Sequence, residues 1–184
     1  MARALVIIAQ GSEEMETTIT VDVLRRGGVE VVLAGLDGPG PVLCSRGVRL
    51  LPDAALADVT GPFDVVVLPG GNEGARRLSE SAAVGAVLRA QEAAGRTAAA
   101  ICAAPIALVK HGVYAGRKLT GYPSVHDVIG AHGDLVLHPV VEDHNLVTSQ
   151  GPGTTFAFAL ALVERFAGKE TADNVRRGML LPVH

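Results

Sequence analysis

The sequence predicts an α/β protein whose central, mostly parallel sheet is covered by helices on both faces. Three observations carry that prediction. Apolar residues make up 48% of the 184 positions while aromatics supply only 3% and Trp none, so the core is built from Ala, Val, Leu and Ile. Runs of these residues favour strands buried on both faces. Such runs alternate with segments of helical period, and that alternation implies right-handed crossovers between parallel strands. No repeat, low-complexity tract or linker interrupts the pattern, and the length suits one domain over residues 1–184.

The elements follow in order. Ala4–Ala9 is a continuous apolar run and predicts a buried strand. Glu13–Arg26 predicts an amphipathic helix with Ser12 as its N-cap and Gly27-Gly28 as its stop. Val29–Ala34 is a second strand, and Val42–Ser45 with Val48–Leu50 form a short hairpin. Asp64–Leu68 is a third core strand, ended by Pro69-Gly70-Gly71. Ser81–Ala94 has apolar positions at helical spacing and breaks at Gly95. Thr97–Ile101 is a fourth strand, followed by a helix over Ala103–Lys110 with Pro105 in its first turn, where a missing N–H is tolerated. From Gly112 to His144 short strands mix with a helix near Ser124–Ile129. Leu146–Ser149 is a further strand, Gly153–Ala167 a long apolar helix, and Lys169–Arg177 a final short one.

Composition excludes several function classes. Sixteen basic against nineteen acidic residues give a formal charge of −3, with no basic stripe and no aromatics interleaved with Lys or Arg, so nucleic-acid binding is not expected. Two cysteines, Cys44 and Cys102, are too few for a disulfide framework and point to a reducing compartment. No stretch reaches the roughly 18 apolar residues of a membrane span. Ala4–Ala9 is too short for a signal segment and runs into acids, so a cytoplasmic location is expected.

In parallel α/β folds ligands bind beyond the carboxyl ends of the strands. The first strand is followed by Glu13, Glu14 and Glu16, the third by Gly70-Gly71-Asn72, and the fourth by Cys102. If those strands are neighbours, one pocket collects a carboxylate, a glycine turn and a thiol. Cys102 stands where a strand runs into a helix, with the small Ala103-Ala104 permitting a sharp turn, as in a nucleophile elbow. A helix N-terminus beside the sulfur would lower the thiol pKa and favour thiolate. The bland alternative is a buried small hydrophobe. Gly70 and Gly71 can turn backbone N–H groups towards an oxyanion, or form an ordinary turn. Among the acids, Glu13 and Glu16 share a helix face while Glu14 turns away, and spacing alone leaves open which reaches the thiol. Gly151-Pro152-Gly153 is either a turn or a pocket wall, and Cys44 lies outside the strand-end set, as a structural or interface residue.

His111, His126, His132, His138, His144 and His184 show no metal-ligand spacing, and no Cys-x-x-Cys, Gly-x-Gly-x-x-Gly or Walker pattern occurs. No metal and no organic cofactor is implied.

Five ordered segments, Glu-Glu-Met-Glu-Thr, Val-Val-Val-Leu-Pro-Gly-Gly-Asn, Leu-Ser-Glu-Ser-Ala-Ala-Val, Ala-Ala-Ile-Cys-Ala-Ala-Pro and Thr-Ser-Gln-Gly-Pro-Gly-Thr, closely resemble the ThiJ/PfpI superfamily over nearly the whole chain, in the branch of the parkinsonism-associated deglycase and its bacterial relatives. The resemblance implies a flavodoxin-like three-layer sandwich and a homodimer. It makes Cys102 the nucleophile and Glu16 the carboxyl group meeting its sulfur, and gives Gly71 and Ala103 the oxyanion N–H groups. Arg26 and Arg46 match positions near the dimer contact that hold an anion close to the cysteine. Tyr122 stands where the animal proteins of the branch carry a histidine near the cysteine, with His126 close by in sequence, and Leu51 replaces a cysteine of the animal dimer interface.

The implied activity is that of a glutathione-independent glyoxalase or deglycase acting on methylglyoxal and related reactive carbonyls, with Cys102 as nucleophile and Glu16 as acid and base. A redox-sensing chaperone using oxidation of the same cysteine is the alternative. An intracellular peptidase is weakened because Tyr122 replaces the dyad histidine.

Overall fold

The computed structural model describes residues 1–182. The chain begins β1 (Arg3–Ile8), α1 (Glu14–Arg26), β2 (Glu30–Gly35), then the hairpin β3 (Val42–Leu43) and β4 (Arg49–Leu50), then β5 (Ala54–Ala55). It continues β6 (Val65–Leu68), α2 (Asn72–Glu80), α3 (Ala82–Ala93), β7 (Thr97–Ile101) and α4 (Ile106–His111). The last third is β8 (Lys118–Leu119), α5 (His126–Gly130), β9 (Asp134–Leu135), β10 (Val140–Asp143), β11 (Leu146–Ser149), α6 (Thr155–Ala167) and α7 (Lys169–Gly178).

Seven strands form the central sheet in the order β10-β11-β7-β6-β1-β2-β5, parallel throughout except for the antiparallel edge pair β10–β11. Every residue of β6, β7 and β11 is buried, as are Ala4–Ile8 of β1, which is why these segments read as unbroken apolar runs. The helices pack in two groups, α1 with α6 and α6 with α7, and α2 and α3 with α4. The expected flavodoxin-like sandwich is the architecture observed.

Several local expectations are corrected. The N-cap of α1 is Glu13, not Ser12: the Glu13 carboxylate accepts the Glu16 N–H at 2.7 Å, while Ser12 Oγ turns back to accept the Ala9 N–H at 3.0 Å. The helix after Cys102 does not start at Ala103. Residues 103–105 form a turn and α4 begins at Ile106, because the chain leaves Cys102 in a left-handed conformation that no helix continues. Two elements have no sequence counterpart. In α2 only Ala75 and Leu78 supply buried apolar side chains among the charges, too few to mark a helical stripe. β5 is two residues long and exists by pairing with the edge of β2.

Candidate active site

The sheet order places β6 between β1 and β7, so the three strand ends singled out in the sequence are adjacent. Their loops are stitched together by backbone hydrogen bonds. The Glu13 N–H donates to the Gly70 carbonyl at 3.0 Å, the Cys102 N–H to the Ser149 carbonyl at 3.0 Å, and the Tyr122 N–H to the Cys102 carbonyl at 2.7 Å. These bonds hold Cys102 at φ 63°, a conformation worth about 1–3 kcal/mol of strain in a residue with a Cβ. The strained bend lifts the sulfur off the sheet into a cleft while leaving the residue only 8% exposed.

Glu16 lies beneath that cleft, fully buried in the first turn of α1. Its Oε2 accepts the Gly70 N–H at 2.7 Å, and its Oε1 has no hydrogen-bond partner among the described residues. The Cys102 thiol stands beside this carboxyl group, and the two ionisations are linked. Burial raises the Glu16 pKa to about 7, against the opposing pull of the Gly70 N–H and the thiol. Burial, and then the charge of Glu16, push the Cys102 thiol up to about 12, while the Gly71 and Ala103 N–H groups act the other way. Burial and the charge of Glu16 thus oppose the thiolate that the sequence suggested, and the Gly71 and Ala103 N–H groups favour it. The short α4 starts too late to lend its N-terminus to the sulfur.

Glycine is required twice here. A Cβ on Gly70 would fall 2.6 Å from Cys102 Cβ and 2.8 Å from Glu16 Oε2, so only a bare backbone fits between thiol and acid. Gly71 sits at φ 82°, and a Cβ there would lie 2.3 Å from the Gly11 carbonyl oxygen. Of the two, only Gly71 has its N–H directed at the sulfur. The Gly70 N–H is taken by Glu16, which removes Gly70 from the oxyanion role the sequence offered it.

The cleft has a volume of about 750 Å³, and Cys102, Gly71, Glu13, Cys44, Arg46 and Tyr122 are among its lining residues. Cys44 is thus brought to the site, contrary to the expectation that it lies outside the set. The hairpin carrying it folds over the cleft because the buried Glu14 anchors the following turn, accepting from Ser45 Oγ at 2.9 Å and from the Arg46 N–H at 2.8 Å. That anchor escaped sequence reasoning, which had no way to pair residues 31 apart. Glu13 was more legible, since Glu13-x-x-Glu16 has the spacing of a capping box. Pro152 confirms the pocket-wall alternative for its segment. His126 is not brought in: its Nε2 meets the Gly121 carbonyl at 3.0 Å, and it is absent from the cleft lining. Arg26 also lies elsewhere, at the end of α1, paired with Asp22 at 2.7 Å. Cys102, Glu16, Gly71, Ala103, Arg46 and Tyr122 therefore gather around one cleft, and His126 and Arg26 do not. His184 falls outside the described residues. Among those residues no group of three His, Cys, Asp or Glu side chains is placed to hold a metal ion, and no helix is long and apolar enough to cross a membrane.

Comparison with known proteins agrees with this fold. A model of the DJ-1/PfpI family matches residues 2–165. The chain is 51% identical over 180 residues to protein dj-1beta of Drosophila melanogaster, covering 97% of this chain and 96% of that one. It is 39% identical over 181 residues to the glutathione-independent glyoxalase DJR-1.2 of Caenorhabditis elegans, again covering 97% and 96%. The crystal structure of Drosophila melanogaster DJ-1beta superposes with a TM-score of 0.97 at 50% identity, covering 99% of each chain.

Proposed function

The chain belongs to the DJ-1/PfpI family, and from that premise we propose that it is a glutathione-independent glyoxalase converting methylglyoxal and related reactive carbonyls through Cys102 and Glu16. The observation that carries the reading is the buried Glu16 carboxyl, with its pKa near 7, set against a thiol whose sulfur faces the Gly71 and Ala103 N–H groups.

With the shared proton on sulfur, the first step uses a base. Ionised Glu16 takes the S–H proton as sulfur attacks the aldehyde carbon, and the Gly71 and Ala103 N–H groups that favour anionic sulfur also favour the new oxyanion. Protonating that oxygen gives a hemithioacetal. Glu16 then removes the hydrogen from C1, forming an enediol, and returns a proton to C2, leaving a thioester on Cys102. Water cleaves the thioester to release lactate and restore the thiol, so the balance is one methylglyoxal and one water to one lactate. The 54 positions between Glu16 and Gly70 and the 31 between Gly71 and Cys102 collapse here to neighbouring loops, and each proton moves between adjacent groups.

The test is lactate release from methylglyoxal without glutathione by wild type, Cys102→Ser and Glu16→Gln. Activity is expected in wild type and in neither variant; wild-type turnover persisting in Cys102→Ser removes the reading.

A second reading is favoured by the unpartnered Glu16 Oε1. When protonated, that oxygen can donate to an oxygen carried by an oxidised Cys102, alongside the Gly71 and Ala103 N–H groups, which suits a peroxide-sensing role. Mass spectrometry after mild peroxide treatment separates the two, since the sensor role requires selective oxidation at Cys102. In either role we propose a cytoplasmic homodimer, in which exposed Leu51 would be covered by the second copy.

A further inference from the structure

We propose that the cleft prefers α-oxoaldehydes carrying an aryl or similarly flat apolar substituent, and that Tyr122 is the residue that selects them. The inference rests on the glyoxalase reading and adds its substrate class.

The two tyrosines of the chain make the case by contrast. Tyr114 is 2% exposed, and its hydroxyl donates to the Arg96 carbonyl at 2.9 Å, as expected of an aromatic ring used for packing. Tyr122 is 46% exposed and lines the cleft. Its N–H donates to the Cys102 carbonyl at 2.7 Å, so the root of its side chain is tied to the backbone of the nucleophile. The ring lies near Gly151 with space left between them, since a Cβ built there would reach only ordinary contact distance, 3.4 Å from Cδ2 and 3.8 Å from Cε2. A large part of the residue stays open to solvent beside the reacting sulfur. A side chain at this position contributes little to the core, and its apolar surface is free to cover a ligand.

The substrate geometry points the same way. An α-oxoaldehyde whose aldehyde carbon meets Cys102, with its oxygen towards the Gly71 and Ala103 N–H groups, has Glu16 and Gly70 beneath it. Its second carbonyl and substituent extend into the open cleft, where the apolar lining is Tyr122, Pro152, Met15 and Leu43. A methyl group covers little of a phenol ring, whereas an aryl group can stack on it with an offset. Discrimination by such a contact amounts to roughly 3- to 10-fold.

The experiment measures protection of Cys102 from iodoacetamide by two competitors, benzoylformate (aryl) and pyruvate (methyl), in wild type, Tyr122→Ala and Tyr122→Phe. Benzoylformate is expected to protect wild type at roughly 3- to 10-fold lower concentration than pyruvate, with that ratio kept in Tyr122→Phe and collapsing towards one in Tyr122→Ala. Equal protection in wild type, or a ratio unchanged in Tyr122→Ala, overturns the proposal. Because protection needs no turnover, absence of lactate formation would count against the glyoxalase reading alone. Where turnover is measured, the ratio of kcat/KM for phenylglyoxal over methylglyoxal should fall by the same factor in Tyr122→Ala.

Discussion

Cys102 and Cys44 line the same cleft, both buried and both with raised pKa values, about 12 and about 11. By exposure alone, 8% against 4%, they are nearly the same residue. Their surroundings differ. Cys44 lies in a turn of ordinary backbone, its thiol directed to the Val42 carbonyl at 3.9 Å, with burial and then the charges of Glu14 and Glu13 disfavouring its anion. Cys102 is held at positive φ, faces two N–H donors, and stands beside an acid whose own pKa lies near 7. Reactivity in this cleft therefore resides in a proton acceptor and anion-stabilising N–H donors placed around the sulfur.

The largest effect should come from exchanging the two thiols for hydroxyls. Cys102→Ser is expected to lower kcat/KM for methylglyoxal by roughly 10³-fold or more, as removal of a nucleophile does. Cys44→Ser should change it by less than about threefold, since that sulfur has a single N–H donor, from Leu50, and no base paired with it. Comparable losses in both variants would dissolve the distinction.

Next comes the acid. Glu16→Gln should lower kcat by roughly 10²–10⁴-fold and remove the rise in rate on passing pH 7 that ionisation of Glu16 produces in wild type. Stability gives an independent readout. The folded protein holds the Glu16 proton up to about pH 7, whereas the unfolded chain releases it near 4.5. The unfolded state therefore carries fewer protons in that window, and stability falls as pH rises through it, by an amount on the order of 2–3 kcal/mol. Denaturant melts at pH 5 and pH 8 should show this decline in wild type and a flatter response in Glu16→Gln. A parallel decline in both would mean that Glu16 is not the group holding the proton.

Much of this was legible in the sequence. The unbroken apolar runs of β1, β6, β7 and β11 announce strands with no exposed face, and the strand-end rule then gathers Glu16, the glycine pair and Cys102 before any coordinate is known. What stayed illegible has physical causes. The protonation state of Cys102 depends on a carboxylate 86 positions away and on where α4 starts, and neither is a local property. Cys44 reaches the cleft only because Glu14 ties down residues 45 and 46. His126 and Tyr122 are close in sequence, yet a short turn over Pro123–Val125 sends one ring to the Gly121 carbonyl and the other to the cleft.

The glycine between the two reacting groups gives a finer probe of the same contrast. Gly70→Ala places a methyl group where Cys102 Cβ and Glu16 Oε2 already stand, and backbone at the Ile101 carbonyl, 2.9 Å away, blocks a retreat. Separating thiol from acid by even about an ångström should reduce kcat/KM roughly 10²-fold. Iodoacetamide labelling of Cys102 should change in the same variant while that of Cys44 does not, and labelling altered equally at both sites would point to general unfolding instead.

The smallest effect concerns the hairpin that carries Cys44. Glu14 is buried and its carboxylate accepts from Ser45 Oγ and the Arg46 N–H. Burial opposes its ionisation, but the hydrogen bonds prevail and hold its pKa below the usual carboxylate value. That stabilisation is present above the unfolded-state pKa of 4.5 and is lost as pH falls through the lower folded value. Glu14→Gln keeps one acceptor but turns an NH₂ group towards donors, a mismatch worth about 1–3 kcal/mol, or a few degrees in Tm for a chain of this length. The loss should be fullest near neutral pH and should shrink as the solution is acidified below 4.5, where wild-type Glu14 becomes protonated as well. Since Arg46 and Cys44 ride on the same turn, KM should rise modestly while kcat stays near wild type, because Cys102, Glu16 and the two N–H donors are held by other loops. A fall in kcat instead of a rise in KM would place the hairpin in the chemistry and erase the contrast between the two cysteines.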